Sequence, residues 1–406
     1  MYPGIRSVVV LAFAMAAFAP TITVAQQTQS LNAFINQTIE LHPAIKAAER
    51  ALSKALAERA AAGQYPNNPE FEIGYEKAGE KTTEFGISQT VDVWNRRGAY
   101  STVADANVAA ARARYDLLET ELLEGLLLAL GEIRKQHGKL RLAQKRLSLS
   151  EKFLEVTRRF VAAGDSGQND LLAAEINKSN AELQVAAVQS DLAEAQRSLI
   201  ELVGQDRNLW PIPPRVDPGL SMKFESNTDK APELRLAQAI LAMSKAGITV
   251  ADKERLPDPT IGVSIGEEGE STLYGLTFSV PIPVWNRGTA EKLAASEGAA
   301  ESEFLVADTR RRLHARSITA ERNFNTALAV VVKWRRQTAP ALLDQERLIG
   351  RLIESREINS LEYLQQLNQL IGTEELGMDL EESLWRAFVV RLRVGSQLRN
   401  WLENMQ

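Results

Sequence analysis

The stretch SVPIPVWNRGTAEK, Ser279–Lys292, closes a run that alternates like a strand and opens one that reads as a long helix. Almost the same join, TVDVWNRRGAYS, stands at Thr90–Ser101. A strand-to-helix corner used twice implies a duplicated architecture, and two more landmarks recur in the same order. HPAIKAAERAL from His42 matches APELRLAQAIL from Ala231, and FVAAGDSGQNDLLAAE from Phe160 matches LIESREINSLEYLQQL from Leu352. All are offset by about 190 residues, with a drift of only a few, which reads as a tandem repeat. LWPIPPRVDPG lies between the copies, where Pro211, Pro213, Pro214 and Pro218 forbid regular structure.

Each copy has one plan. A first helix (Leu31 to Ala62; Pro232 to Lys253) leads into two short strands with period-two alternation and one apolar face. In copy one Phe71, Ile73, Tyr75, Phe85, Ile87, Val91 and Val93 are the apolar set; in copy two it is Ile261, Val263, Ile265, Tyr274, Leu276, Phe278, Val280 and Ile282. Four strands cannot close a barrel, and an open edge is not tolerated in lipid. Either the sheet packs on the helices or several chains pool their strands. After each hairpin comes an exceptionally long helical segment, and from Gly98 to Ala163 there is no proline. Leu126, Ile133, Leu140, Leu147, Leu154 and Val161 repeat every seventh position, as do Leu364, Ile371, Met378, Trp385 and Leu392 on the return. Rods of this length need neighbouring rods.

The predicted boundaries are a signal peptide over 1–25, a first repeat over 26–204, a linker over 205–230 and a second repeat over 231–406. The first repeat holds strands near 70–77 and 83–93, a long helix over 98–163 and a return helix over 168–204. The second holds strands near 260–266 and 271–282, a long helix over 288–355 with a break near 340 at Pro340, and a return helix over 359–401.

Composition sets limits. The chain has 406 residues, 45% hydrophobic and 24% charged, with a net charge of −5, so it folds and has no basic excess for nucleic acid. There is no cysteine, which removes disulfides, thiolate metal sites and N-terminal lipidation. Arg6, the apolar run Val8–Phe18 and the small-residue ending before Gln26 read as a secretory signal cleaved after Ala25. No later segment approaches an unbroken apolar span, so a membrane would be entered as strands.

With the signal peptide, the duplicated helix–hairpin–long helix–return helix units and the VPIPVWNRG join in place, the chain resembles the TolC-type outer-membrane factor (outer membrane efflux protein) family. The join is most similar to its heavy-metal, cobalt-zinc-cadmium resistance branch. The resemblance implies a mostly α fold with a small transmembrane β part: a homotrimeric α-barrel tunnel of coiled-coil repeats topped by a twelve-stranded β-barrel, four strands per chain. It also implies a place in the outer membrane, lipid around the barrel, a periplasmic adaptor (membrane fusion protein) and an inner-membrane RND-type pump. On the family's tip motif Gly164, Asp165, Ser166, Asn169, Asp170, Leu171 and Leu172 would face the adaptor, with Glu357, Ile358, Asn359, Ser360, Leu361, Glu362 and Leu364 at the second tip. Arg356 stands where the first tip has Gly164, which puts a left-handed turn residue in doubt there. The corners where barrel becomes tunnel would be Trp94, Asn95, Arg96 and Gly98, and Pro281, Pro283, Trp285, Asn286, Arg287 and Gly288. Their tryptophans suit a membrane interface and their glycines loosen the helix start; an ordinary helix N-terminus with a core Trp and Asn caps is the other reading. Threefold assembly would gather Asp165, Asp170, Glu354, Glu357 and Glu362 into an acidic periplasmic entrance, unless they point outward.

His42, His137 and His314 lie far apart, so no metal site is expected; no cofactor and no enzyme motif is legible either. The expected function is a passive exit duct of a tripartite efflux system for divalent heavy-metal cations. The alternatives are a duct for drugs or organic solutes, and a soluble periplasmic coiled-coil scaffold or adaptor.

Overall fold

The computed structural model describes residues 30–404 apart from 78, 80, 208, 218–227 and 356, and at 353 and 354 the backbone alone. The expected signal peptide with its cleavage after Ala25, Pro218, Arg356 and the side chain of Glu354 lie outside the described residues.

The elements run α1 (Leu31–Leu41), α2 (Pro43–Ala62), β1 (Glu70–Lys77), β2 (Lys81–Thr90), α3 (Arg96–Ala162) and α4 (Gln168–Val203). There follow α5 (Pro232–Glu254), β3 (Thr260–Glu268), β4 (Ser271–Ser279), α6 (Thr289–Lys333), α7 (Ala339–Glu354), α8 (Ser360–Val394) and α9 (Leu398–Glu403). The strands form one antiparallel sheet in the order β1-β2-β3-β4. Its inner seam joins the two halves, with Phe85 opposite Ile265 and Ile87 opposite Val263. At 67 residues α3 is about 100 Å long. It packs along α2, α4, α5 and α8, while α5 lies between α3 and α6.

Several boundaries differ from the sequence reading. The first helix is two helices: Pro43 has no N–H for an α1 bond and holds His42 extended (ψ 127°), and His42 Nδ1 then accepts from Ala44 N–H at 3.2 Å to start α2. β2 stops at Thr90 because Asp92 caps α3, and β4 stops at Ser279 before Pro281 and Pro283, which cannot donate to a ladder. Near Pro340 the second long helix is interrupted, α6 ending at Lys333 and α7 starting at Ala339, without a non-helical gap. The π turn Trp334–Thr338 bridges the interval, with Ala339 N–H bonded to Trp334 O. The second return helix stops short, at Val394, where Ser396 takes φ 56°.

Three apolar clusters hold the rods among the described residues, the smallest joining Ala231 and Leu234 at the start of α5 to Val306 and Leu313 of α6. The largest gathers Phe34 and Ile35 of α1, Leu123, Leu126, Leu127 and Leu130 of α3, Leu199 of α4, and Trp385, Phe388 and Trp401. Trp385 lies where a Cβ on Gly131 would come within 2.3 Å of its ring, so this glycine makes room for the indole. The second cluster, toward the tips, joins Leu142, Phe153 and Leu154 to Tyr363, Leu367, Leu370 and Ile371. Leu140 and Leu147 are only half-buried and the core stripe passes to Leu142, Ala143, Ser150 and Phe153. A strict seven-residue spacing drifts around a straight helix by about 20° per heptad. The linker is held by its carbonyls: Arg134 donates to Pro213 O and Pro214 O at 2.9 and 2.8 Å, and Arg335 to Val216 O at 2.9 Å. Burial between those carbonyls and Trp385 lowers the pKa of Arg134 from the usual guanidinium range.

One helix among the described residues, α5, is long and apolar enough to cross a membrane. Its charges are engaged along the bundle, Arg235 with Asp116 at 3.1 Å, Lys245 with Glu303 at 2.7 Å and Asp252 with Lys292 at 2.6 Å.

Candidate functional site

The sheet has two unlike faces. Opposed residues share a face, so the registers place Phe71, Ile73, Tyr75, Phe85, Ile87, Ile261, Val263, Ile265, Tyr274, Leu276 and Phe278 on one side. All eleven are exposed, Leu276 at 79% and Tyr274 at 81%. No helix among the described residues covers them. The other side carries Glu70, Glu72, Glu76, Glu84 and Glu268 among Gly, Ser, Thr and Leu273, with no Lys or Arg among the described residues. Ser88 donates to Glu72 at 2.9 Å. Glycine is needed on this side: a Cβ on Gly275 would lie 2.2 Å from Ser264 Oγ of the opposite residue.

The first corner is built on Asp92 and Asn95. Asp92 accepts from Arg96 N–H at 2.7 Å and Arg97 N–H at 3.0 Å, and Asn95, in the left-handed region at φ 55°, accepts from Gly98 N–H at 3.0 Å. Gly98 lies under the Asn95 amide, where a Cβ would meet Nδ2 at 2.6 Å. Arg96 then reaches across to the other half. Its guanidinium donates to Lys253 O at 3.3 Å and to Leu256 O, and pairs with Asp258 at 3.3 Å. Trp94 Nε1 donates to Pro257 O at 2.9 Å, and Lys253 returns a bond to Asn95 O at 2.8 Å. Tyr100 donates to Glu254 at 2.6 Å; burial and that carboxylate push its pKa up to about 12.

Among the described residues the second corner has no such clamp onto the other half. Gly288, not an asparagine, is the left-handed residue at φ 62° and caps α6, while Asn286 Oδ1 accepts from Gly288 N–H at 2.9 Å. Arg255 donates to Arg287 O at 3.1 Å. Pro281, Pro283 and Arg287 are exposed, and Trp285 is 96% exposed.

At the first tip Gly164 takes φ 77° and Asp165 N–H bonds Phe160 O at 2.9 Å, a Schellman close to α3. Asp170 turns back onto Ser166 Oγ at 3.1 Å and Gly167 N–H at 3.3 Å. Asn169 and Leu172 are exposed, and Leu171 packs on the tip cluster. At the second tip Glu357 N–H bonds Leu352 O at 3.0 Å, and Asn359 and Glu362 form a capping box, at 2.9 and 3.3 Å. Ile358 and Leu364 pack on the tip cluster, Ser360 is half-buried, and Glu357 and Leu361 are exposed. Two of the five carboxylates expected at an entrance, Asp170 and Glu362, are therefore helix caps. The N-x-x-E spacing at Asn359 is a local signal that could have shown the second cap.

His42 caps α2, and His137 and His314 are exposed. Among the described residues no three His, Asp or Glu side chains are grouped to hold a metal ion.

Residues 34–205 match the family described as outer membrane efflux protein. The nickel-cobalt-cadmium resistance protein NccC of Alcaligenes xylosoxydans xylosoxydans is 23% identical over 76% of this chain and 74% of its own length. The cobalt-zinc-cadmium resistance protein CzcC of Cupriavidus metallidurans is 22% identical over 59% of this chain and 60% of its own. In fold the chain is similar to the outer-membrane channel OprN, with a TM-score of 0.76 at 18% identity, covering 90% of this chain and 89% of that one. It is also similar to CusC, a transmembrane channel, with a TM-score of 0.75 at 16% identity, covering 89% and 91%.

Proposed function

We infer that this chain, a TolC-type outer membrane efflux protein, is the exit duct of a tripartite efflux system and conducts divalent heavy-metal cations passively as a homotrimer. The observation that carries the duct is the uncovered apolar face of the sheet. Eleven large side chains on one side of four strands would cost roughly 1.5–3 kcal/mol each to keep in water, and lipid removes that cost. With β1 and β4 both open edges, pooled strands satisfy the backbone, and three copies supply twelve. The long rods would then form a periplasmic tunnel whose two tips meet an adaptor and, through it, an RND-type pump.

Two features support cations over organic solutes. The side of the sheet opposite the lipid face carries carboxylates and no basic residue, and threefold assembly turns that side into the lumen. The relatives NccC and CzcC are named for metal resistance. Selection belongs to the pump, since a wide passage works with weak sites and no ligand cluster is built among the described residues.

The test is direct. Purified protein should run as a trimer in detergent and form pores in planar bilayers. A strain lacking it should lose resistance to nickel, cobalt or cadmium and keep resistance to drugs. The variant His42→Ala/His137→Ala/His314→Ala should restore metal resistance fully. A soluble, non-conducting monomer would sink the duct; loss of drug resistance alone would move the substrate to organic solutes.

A further inference from the structure

The uncovered side of the sheet is not apolar from end to end. The pairings lay it out in rows across the four strands, Phe71, Ile87, Val263 and Leu276 in one and Ile73, Phe85, Ile265 and Tyr274 in the next. Then the chemistry changes. The following row is Tyr75, Thr83, Glu267 and Thr272, and beyond it Lys77 stands directly opposite Lys81, where β1 meets β2 at their hairpin. The apolar band therefore ends on a tyrosine and a pair of lysines. Both lysines share the side of the eleven exposed side chains, not the side of the carboxylates.

Like charges directly opposite on two strands repel, so the pair destabilises the hairpin unless an anion lies between them. Both lysines are exposed, and neither side chain has an ion pair or hydrogen bond among the described residues. Glu76 and Glu268, opposite Thr82, belong to the other side of the sheet. Glu267 shares their side but lies opposite Thr83, and so diagonal to Lys81. Height agrees with charge. β2 runs ten residues from Lys81 to Thr90. That is about 33 Å along the strand, and at the tilt of about 40° found in outer-membrane barrels it spans about 25 Å, the height of their apolar band. With the corner tryptophans at the inner boundary, Lys77 and Lys81 come to the level of the outer head groups, just beyond Tyr75 as an interfacial aromatic.

We propose that Lys77 and Lys81 together hold the phosphate group of a lipid of the outer leaflet. Side chains directly opposite on two strands stand close enough for both ammonium groups to donate to one phosphate, and these charge-assisted bonds replace the repulsion. A lipid, not free phosphate, is the occupant because an apolar track continues from the lysines down the same two strands. Ile73 and Phe71 on β1 and Phe85 and Ile87 on β2 would lie along its acyl chains. β3 and β4 carry no Lys or Arg, so each copy has the site at its first hairpin alone.

The inference rests on the duct reading for its membrane, and the test separates the two. The purified oligomer in detergent is titrated with lipid A, an acylated glucosamine lipid bearing phosphate, with the same lipid stripped of phosphate, and with inorganic phosphate, and bound lipid is counted by native mass spectrometry. The variant Lys77→Gln/Lys81→Gln should bind lipid A roughly tenfold more weakly than the native protein, and Lys77→Arg/Lys81→Arg should bind it about as well. The stripped lipid should bind the native protein and the Gln variant alike. Inorganic phosphate at the same concentration should not displace lipid A; displacement would make the site one for any anion and overturn the lipid. Conductance in planar bilayers is read alongside. Equal binding of lipid A by the native protein and the Gln variant, both conducting, overturns the lysine site and leaves the duct. A native protein that does not conduct overturns the duct itself.

Discussion

Arg96 and Asp258 meet at 3.3 Å across the join between the two halves, with the Asp258 side chain only 4% exposed. Neither Asp258 oxygen accepts a hydrogen bond among the described residues, so Arg96 is what compensates its charge. The pair ties the first strand-to-helix corner to the start of β3, at the level where sheet gives way to rods.

Breaking a buried pair from one side costs about 3–5 kcal/mol, because the other charge is left unpaired. Arg96→Ala should therefore reduce the amount of heat-resistant protein in the membrane more than Arg96→Ala/Asp258→Asn does. Thermal unfolding of the purified variants gives the order. Equal loss in the single and double variants would mean that the carbonyl contacts of Arg96, not the pair, hold the corner.

The corners, the hairpins and the rods were legible because each is local. Alternation marked the strands, the doubled VWNR marked the corners, and seventh-position apolar residues marked the rods. The Arg96–Asp258 pair was not legible, since nothing local links residues so far apart in the chain. His42–Pro43 was in plain view as a helix start and was read through, because the amphipathic pattern continues past it. Ser396 could not be foreseen: Gly395 precedes it, yet Ser396 takes the left-handed turn at φ 56°. At the tips the spacing of Asn359 and Glu362 could have given the cap, while an acidic entrance needed an assembly that the chain alone does not contain.

The contact between Gly131 and Trp385 yields a second test. Trp385 Nε1 donates to Leu127 O at 2.8 Å and the ring packs edge-on to Trp401 at 5.8 Å, so it has no room to swing away from a new methyl group. Gly131→Ala should lower thermal stability by about 1–3 kcal/mol through overpacking, despite the better helix propensity of alanine. Circular dichroism melts would show it, and a stabilised variant would mean that the indole rearranges freely.

Tip caps give a third. Removing a side-chain cap costs about 1 kcal/mol, felt in the first turn of the helix it starts. Asp170→Ala should speed amide exchange at the start of α4, and Asn359→Ala at the start of α8, with the belt around Trp385 unchanged. Export should fall with the exchange rate if the tips dock an adaptor as ordered surfaces. Normal export with frayed tips would place the docking contacts elsewhere.

The last prediction concerns alkali. Tyr363 stacks on Phe153 at 4.6 Å, and burial pushes its hydroxyl up to about 12. Its ordinary value is near 10. A raised folded-state pKa means that the protonated form is favoured by folding: the contribution is complete below about pH 10 and is lost as pH rises through 10 toward 12. The shift corresponds to roughly 3 kcal/mol at most. Between pH 9 and 12 the tip cluster of the native protein should loosen, read as faster proteolysis between α7 and α8. Tyr363→Phe should keep the stack, lose the titration and flatten that pH dependence. If Tyr363→Phe loosens over the same interval as the native protein, the alkaline transition belongs to another group.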